Sequence, residues 1–312
     1  MSGKQTQRLE ADAAGIERAA ALLRSGGVVA VPTETVYGLA ARADSAAAVA
    51  EIYRAKGRPE FNPLIVHVGS LAMARGLVRL DAAAESLAAR FWPGPLTLVL
   101  PLAPDAPVAA AVTAGLPTIA LRMPDHPAMR ALIAALGLPL AAPSANRSGA
   151  VSPTTAAHVA LSLDGRIDAI LDGGAAAQGL ESSIVAVRDH GWQLLRPGPV
   201  GEDEVAAVLG PQAAGTPGRI EAPGQLASHY SPGKPVRLDA VAAERDEFMI
   251  GFGAVPGDCM LAADGDLARA AAGLYACLHE AAASSKPRVA VAPVPADGIG
   301  AAINDRLRRA AA

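Results

Sequence analysis

A chain of 312 residues is long enough for about two domains of roughly 100 to 200 residues each. Hydrophobic residues make up 51% of it and charged residues 18%, which excludes a disordered tail or a small stapled scaffold. The formal net charge is −3, so there is no global basic field of the kind a dedicated nucleic-acid binder carries, and any anion site must be local.

Residues 9 to 25 carry apolar positions at helical spacing and end at Gly26-Gly27, which predicts a helix feeding the short buried strand VVAVPT. Ser45 is placed to cap a helix over AAAVAEIYRA, which stops at Lys56-Gly57-Arg58-Pro59, and LIVHV (64 to 68) predicts the next strand. Further strands are predicted at 95–100, 118–123, 139–143, 168–172, 183–187 and 192–196, mixed irregularly with helices near 82–90, 127–136 and 154–162. The pattern is α/β, or mixed α+β, with a sheet mostly covered by helices.

After one more short helix from Gly201, residues 211–235 are dense in Pro, Gly and Ser and read as a linker. His229 and Tyr230 are unusual at the centre of a solvated spacer, and the segment is expected to fold over the site as a lid. Residues 236–312 resume with strands in VRLDA, FMIGF, CMLAA and RVAVAPV, a helix near 266–283 and a terminal helix, as in a small doubly wound unit. The domains are therefore 1–210, a linker or lid at 211–235, and 236–312.

Cys259 and Cys277 are too far apart for a Cys-x-x-Cys pair and are expected to be half-buried packing residues in a reducing compartment. The N-terminus lacks an apolar signal-peptide region and no apolar run is long enough to span a bilayer, so a cytoplasmic protein with no membrane contact is expected. The six histidines never adopt metal-ligand spacing, and no P-loop, zinc-protease or nucleophile-elbow motif is present. GFGAVPG (251–257) has the wrong spacing for a dinucleotide fingerprint.

The chemistry-bearing residues instead sit where apolar strands end. KGRPEFNPLIVH places Lys56, Arg58 and Asn62 in one loop before the strand carrying His67. Only four lysines stand among the 27 basic residues, so Lys56 inside this loop is informative. Arg122 ends the strand TIALRM; APSANRSGAVSPT supplies Ser144, Asn146, Ser152 and Thr154; LESSIV adds Ser182 and Ser183. Singly, such hydroxyl and amide residues are more often caps and turn formers, and His67 or Arg122 more often a satisfied structural group. Their accumulation at strand ends of an apolar chain points to one anion-binding site.

Thr33-Glu34-Thr35-Val36-Tyr37-Gly38-Leu39, the Lys56-x-Arg58 pair, the Ser144-x-Asn146 pair and Glu181-Ser182-Ser183-Ile184 together resemble the YrdC-like domain family over residues 20–200. PGQLASHYSP (223–232) resembles the segment that joins this domain to a small C-terminal Rossmann-like α/β domain in the two-domain L-threonylcarbamoyladenylate synthases. The resemblance implies a YrdC-like twisted sheet covered by helices and a reaction in which L-threonine, bicarbonate or CO2, and ATP give threonylcarbamoyl-AMP and pyrophosphate. Downstream transfer proteins would then use the product to modify a tRNA adenosine. Carried over by position, Lys56 and Arg58 are implied as catalytic cations. Arg58, Asn62, Thr118, Asn146, Ser152, Thr154, Arg196 and Tyr230 would contact ATP, and Thr35, His67, Arg122, Ser144 and Ser182 would surround threonine, with Arg122 on its carboxylate. Mg2+ is expected with ATP, although no carboxylate cluster marks a metal site. Ser183, where the family often has Thr, is a minor departure. An RNA-binding module is the first alternative, opposed by the charge and by an aromatic content of 3%. The second is a hydrogenase-maturation carbamoyl-transfer enzyme, whose acylphosphatase and zinc-finger segments are not present.

Overall fold

The computed structural model describes residues 4–59, 61–213, 221–224 and 228–312. The first part of the chain runs β1 (Gln7–Glu10), α1 (Ala13–Arg24), β2 (Val29–Val31), β3 (Gly38–Arg42), α2 (Ala46–Lys56), β4 (Ile65–His67), α3 (Leu71–Arg75), α4 (Ala82–Phe91) and β5 (Leu96–Pro101). It continues through α5 (Ala110–Thr113), β6 (Thr118–Arg122), α6 (Pro127–Leu136), β7 (Leu140–Ala141), α7 (Ala156–Leu163), β8 (Ala169–Asp172), β9 (Ser183–Arg188), β10 (Gly191–Arg196) and α8 (Glu202–Leu209). The second part comprises β11 (Val236–Arg237), β12 (Glu247–Gly251), β13 (Cys259–Met260), α9 (Leu267–Ala283), β14 (Arg288–Val291) and α10 (Gly300–Ala311).

The helix expected over 9–25 starts late. Gln7–Glu10 is instead an edge strand, paired in parallel with β8, and α1 begins where the Asp12 side chain accepts from the Gly15 N–H at 2.8 Å. Ser45 caps α2 as expected, accepting from the Ala48 N–H, and Gly57 ends that helix in the left-handed conformation at φ 60°. Strand β3 is not expected from the sequence because GLAAR lacks the β-branched and aromatic residues that mark the other buried strands. Helices α3 and α5, of five and four residues, are too short to display a period.

These strands form one mixed sheet in the order β1-β8-β2-β3-β7-β4-β6-β5-β9-β10. Side chains two apart along a strand share a face, and this alternation partitions the core. Val29 and Val31 pack with α1 and α6, whereas Ala30 faces the cluster built on Ile52 and Val159. At the β4-β6-β5-β9 end, Val66, Leu98, Leu121 and Val185 face that larger cluster. The opposite face there, Ile65, Val99, Ala120 and Ile184, is packed on by Ala222 of the linker and not by a helix. This face also carries His67 and Arg122, two positions beyond Ile65 and Ala120.

The second sheet is wholly parallel, in the order β11-β14-β12-β13. Helix α9 buries Ala270, Ala271, Leu274, Tyr275, Leu278 and Ala281, a stripe at 3.6-residue spacing. The expectation that Cys259 and Cys277 are merely packing residues is corrected: they form a disulfide, with their Cα atoms 5.7 Å apart. Their separation of 18 residues rules out a short motif but not a contact, because α9 packs over β13. A cross-link closing a loop of this size stabilises a domain by about 3 kcal/mol. Among the described residues no helix is long and apolar enough to cross a membrane.

Candidate active site

The helix-free face of the sheet is the floor of the site. β4 and β6 run parallel with His67 opposite Arg122, and β5 and β9 run parallel with Leu96 opposite Ser183, one residue after Ser182. Gly38 bridges to Ser144, which brings the loop after β7 to the same edge. Thr35, Arg58, His67, Arg122, Ser144, Ser182, Arg196 and Tyr230 all line one cavity here, drawn from segments up to 195 residues apart in the chain.

Two guanidinium groups in this wall are held only by oxygen atoms that carry no formal charge. Arg58 donates to the carbonyls of Asn62 (3.3 Å) and Pro63 (3.0 Å). Arg196 donates through Nε and Nη2 to the Ser182 carbonyl at 3.0 and 2.9 Å, through Nη2 to Ser182 Oγ at 3.2 Å, and through Nη1 to the Pro223 carbonyl at 3.3 Å. Neither has a carboxylate within ion-pair distance among the described residues. Burial lowers both, Arg58 to about 10, the direction expected of cations removed from water without a counter-charge.

Arg122 is differently placed. It bonds the Gly94 carbonyl at 3.1 Å, Thr35 Oγ1 at 2.9 Å and the Glu34 carboxylate at 2.5 Å, so three of its five N–H donors are already used. Thr35 Oγ1 is also 2.8 Å from Thr33 Oγ1, and Ser182 Oγ is 2.7 Å from Thr97 Oγ1. The His67 imidazole is pushed down to about 3 by burial and by Arg122, so it is neutral, and its Nδ1 is buried without a hydrogen-bond partner.

Other predicted residues stand behind this wall. Lys56 is 2% exposed and donates to the carbonyls of Ser144 and Asn146 at 2.6 and 2.5 Å, so it holds the Ser-x-Asn loop. Burial and then Arg58 push its ammonium well below the usual range. Asn146 uses its amide N–H groups on the Arg147 and Ala150 carbonyls, and its Oδ1 is an unpartnered buried acceptor, as is Asn62 Oδ1. Thr154 Oγ1 lies 3.3 Å from His158 Nδ1. Thr118 opens β6 on the same sheet face as Ala120 and Arg122 but outside the cavity wall.

Glu181 carries no role that its sequence neighbourhood alone would assign. It lines the cavity and accepts from Ser152 Oγ at 2.5 Å, Tyr275 OH at 2.7 Å and Arg306 Nε at 2.9 Å. Burial by itself would raise this carboxyl, but Arg306, Arg196 and the two hydroxyl donors hold it at about 2, against an ordinary 4.5. Because the folded value is depressed, its stabilisation is complete above about pH 4.5 and is lost as the pH falls toward 2. Thermal unfolding followed from pH 6 to 2 (about that range) should therefore show a steeper acid loss in the natural chain than in Glu181→Gln. Parallel curves would show that the carboxylate has no such linkage.

Part of the linker closes the site. The lid expected over 223–232 includes residues 225–227, which lie outside the described residues, as do 214–220 of the wider linker; Pro223, Gly224, His229 and Tyr230 are described and line the cavity. Gly224 adopts φ +84°, and a Cβ there would stand 2.8 Å from Arg196 Cδ and 3.1 Å from Tyr230 OH. Glycine at this position thus permits both the backbone conformation and the close approach. Tyr230 is itself left-handed at φ 64°, an uncommon conformation for a bulky residue. His229 packs edge-on against its ring, and burial lowers that imidazole to about 3. The cavity, partly open to solvent, measures about 40 Å³, whereas sites for drug-sized ligands measure roughly 300 to 1,000 Å³.

Comparison with known proteins gives the same outline. A family model described as telomere recombination matches residues 21–198, and one described as the threonylcarbamoyl-AMP synthase C-terminal domain matches residues 200–312. The threonylcarbamoyl-AMP synthase of Bacillus subtilis (strain 168) is 42% identical, with 98% of this chain and 95% of that protein covered. The Pyrococcus abyssi enzyme of the same name is 38% identical, with 95% and 93% covered. The crystal structure of P. abyssi Sua5 complexed with L-threonine is similar, with a TM-score of 0.88 and 35% identity over 98% of this chain and 97% of that one.

Proposed function

The chain belongs to the threonylcarbamoyl-AMP synthase family, and from that premise we propose how its cavity divides the work of joining L-threonine, bicarbonate or CO2, and ATP. The observation that carries the proposal is the pair Arg58 and Arg196, two buried guanidiniums anchored by uncharged oxygens with no carboxylate partner among the described residues. Arg58 is placed to address phosphate oxygens, and Arg196, most of whose N–H donors are held by Ser182 and Pro223, adds a fixed positive charge beside it.

Threonine lies on the His67 and Arg122 side. Glu34 and Thr35 fix the Arg122 plane, and its two remaining N–H donors meet the threonine carboxylate. Thr35, Ser144 and Ser182 surround the side chain, and neutral His67 offers Nδ1 without adding charge. The threonine nitrogen takes up CO2 to form a carbamate, losing a proton. A carbamate oxygen then attacks the α-phosphorus, the bond to the β-phosphate oxygen breaks, and pyrophosphate leaves. This step brings one anion against another, so Arg58 and Arg196 screen the approach and stabilise charge growing on the phosphoryl oxygens. Asn62, Thr118, Asn146, Ser152 and Thr154 complete the nucleotide side, and Lys56 keeps the Ser144 to Asn146 loop in register.

Magnesium accompanies ATP in this reading, held by phosphate oxygens and water. The described residues do not form a carboxylate site for it: Glu34 is ion-paired to Arg122 and Glu181 to Arg306, and no cluster of three metal-ligating side chains occurs among them. The product passes to tRNA threonylcarbamoyl-transfer proteins, and the enzyme works in the cytoplasm.

Pyrophosphate release measured with and without threonine tests this reading, and release indifferent to threonine would overturn it. The amino-acid preference is a sharper outcome. Serine lacks only a methyl group, worth about 1 to 3 kcal/mol, and should be the nearest competitor. Alanine and glycine leave buried hydroxyl partners unpaired and should be poor substrates. Equal rates with alanine and threonine would show that the hydroxyl is not read.

A further inference from the structure

Arg306 lies in the terminal helix, 125 residues from Glu181 in sequence, and is fully buried. Its guanidinium reaches three partners at once: Glu181 Oε2 through Nε at 2.9 Å, the Pro197 carbonyl through Nη2 at 2.9 Å and Asp305 Oδ2 through Nη1 at 2.6 Å. Its Cζ is also 5.3 Å from the centre of the Tyr230 ring. One cation of the second domain therefore touches the loop before β9, the turn after β10 and the closing segment.

Stability does not account for this arrangement. The two domains already share an apolar cluster in which Val36, Val151 and Leu180 pack with the core around α9. A buried ion pair adds little to stability over apolar packing of the same volume, because desolvating both charges offsets their attraction. What the ion pair does fix is direction. Glu181 immediately precedes Ser182, whose carbonyl anchors Arg196, and Glu181 Oε1 accepts from Ser152. The same helix end holds the closing segment, since the His229 N–H donates to the Arg309 carbonyl at 3.0 Å and Ser228 Oγ to the Ala312 carbonyl at 2.9 Å.

We propose that Arg306 is a positioning residue for threonylcarbamoyl-AMP synthesis, acting from the second domain through the Glu181 carboxylate to hold Ser152, Ser182 and, through Ser182, Arg196 in register. The assignment rests on the function given above. The planar fork suits this position, since Glu181, Asp305 and Pro197 are met by three different nitrogens, Nε, Nη1 and Nη2, more widely spread than the donors of a single ammonium.

The test uses the full-length chain, with kcat and KM for threonine and ATP measured by pyrophosphate release and Tm measured alongside. Arg306→Met should lower kcat/KM for threonine by about 10- to 100-fold, the scale of a small misplacement of reacting groups. Arg306→Lys should recover only part of that loss. Glu181→Gln/Arg306→Met should be no worse than Arg306→Met, because the two residues act as one unit. Where Arg306→Met does not fold, the double variant, which leaves neither charge buried alone, is read in its place against Glu181→Gln. Constants within about twofold of the natural chain, with only Tm lowered, would reduce Arg306 to a structural residue, and additive losses would show that it does not act through Glu181. Absence of threonine-dependent release in the natural chain would overturn the functional reading; normal release there with unchanged Arg306 variants would overturn this assignment alone.

Discussion

Replacing Arg58 with alanine is expected to lower threonine-dependent pyrophosphate release by about 10²-fold or more, the cost of removing one donor that acts on transition-state charge. Arg58 lines the cavity, and its loss leaves the Asn62 carbonyl with the Tyr53 hydroxyl but takes the side-chain donor from the buried Pro63 carbonyl. The fall should therefore come with only a small loss of Tm. Lys56→Ala is expected to reduce activity on the same scale, but by a different route that also costs stability. Lys56 is the last residue of α2, and its removal leaves the Ser144 and Asn146 carbonyls without their donor. Each unsatisfied buried group costs about 1 to 3 kcal/mol, so Lys56→Ala, which strands two carbonyls, should lower Tm more than Arg58→Ala, which strands one. Kinetic assay and calorimetry on both variants separate the two roles. Near-normal turnover in Arg58→Ala would remove it from the catalytic assignment, and an unchanged Tm in Lys56→Ala would remove the scaffold role.

The contrast between these neighbours shows what the sequence could and could not convey. Lys56-x-Arg58 reads as two loop cations with one task, because spacing alone does not reveal that the helix ends between them. Gly57 turns the chain left-handed after Lys56, which sends the lysine into the interior and leaves the arginine at the cavity. Apolar strand runs such as LTLVL, and helices with good caps such as Ser45, were legible because local chemistry specifies them. β1 and β3 were not: β1 is a short polar edge strand defined by its distant partner β8, and β3 is a Gly- and Ala-rich strand with little intrinsic strand preference. The polar strand ends pointed to the site through the fold rule that ligands bind where strands finish. Glu181 and Arg306 carried no local signal, because a buried acid and its counter-charge 125 residues later are recognisable only once the terminal helix is docked. The disulfide escaped for the same reason.

The largest effect of all is expected from truncation after Leu209, which should abolish nearly all threonine-dependent pyrophosphate release although every residue of the large sheet is retained. The reason lies in the closing segment. Its described residues complete the cavity wall, supply the Pro223 carbonyl that holds Arg196, and lay Ala222 on the helix-free sheet face. The segment is expected to open for substrate entry and to close again, excluding water from the carbamate and the adenylate. Tyr230→Ala isolates this role from loss of the whole domain. It removes the ring between the cavity and Arg306 and should cut turnover by about 10-fold or more, a cost typical of misaligned reactants. Limited proteolysis supplies the physical counterpart: cleavage within 211–235 should slow when ATP and threonine are both present and should be less affected by either alone. Full activity in the truncated chain, together with cleavage indifferent to ligands, would make the segment a tether, and the closed wall described here would have no part in the reaction.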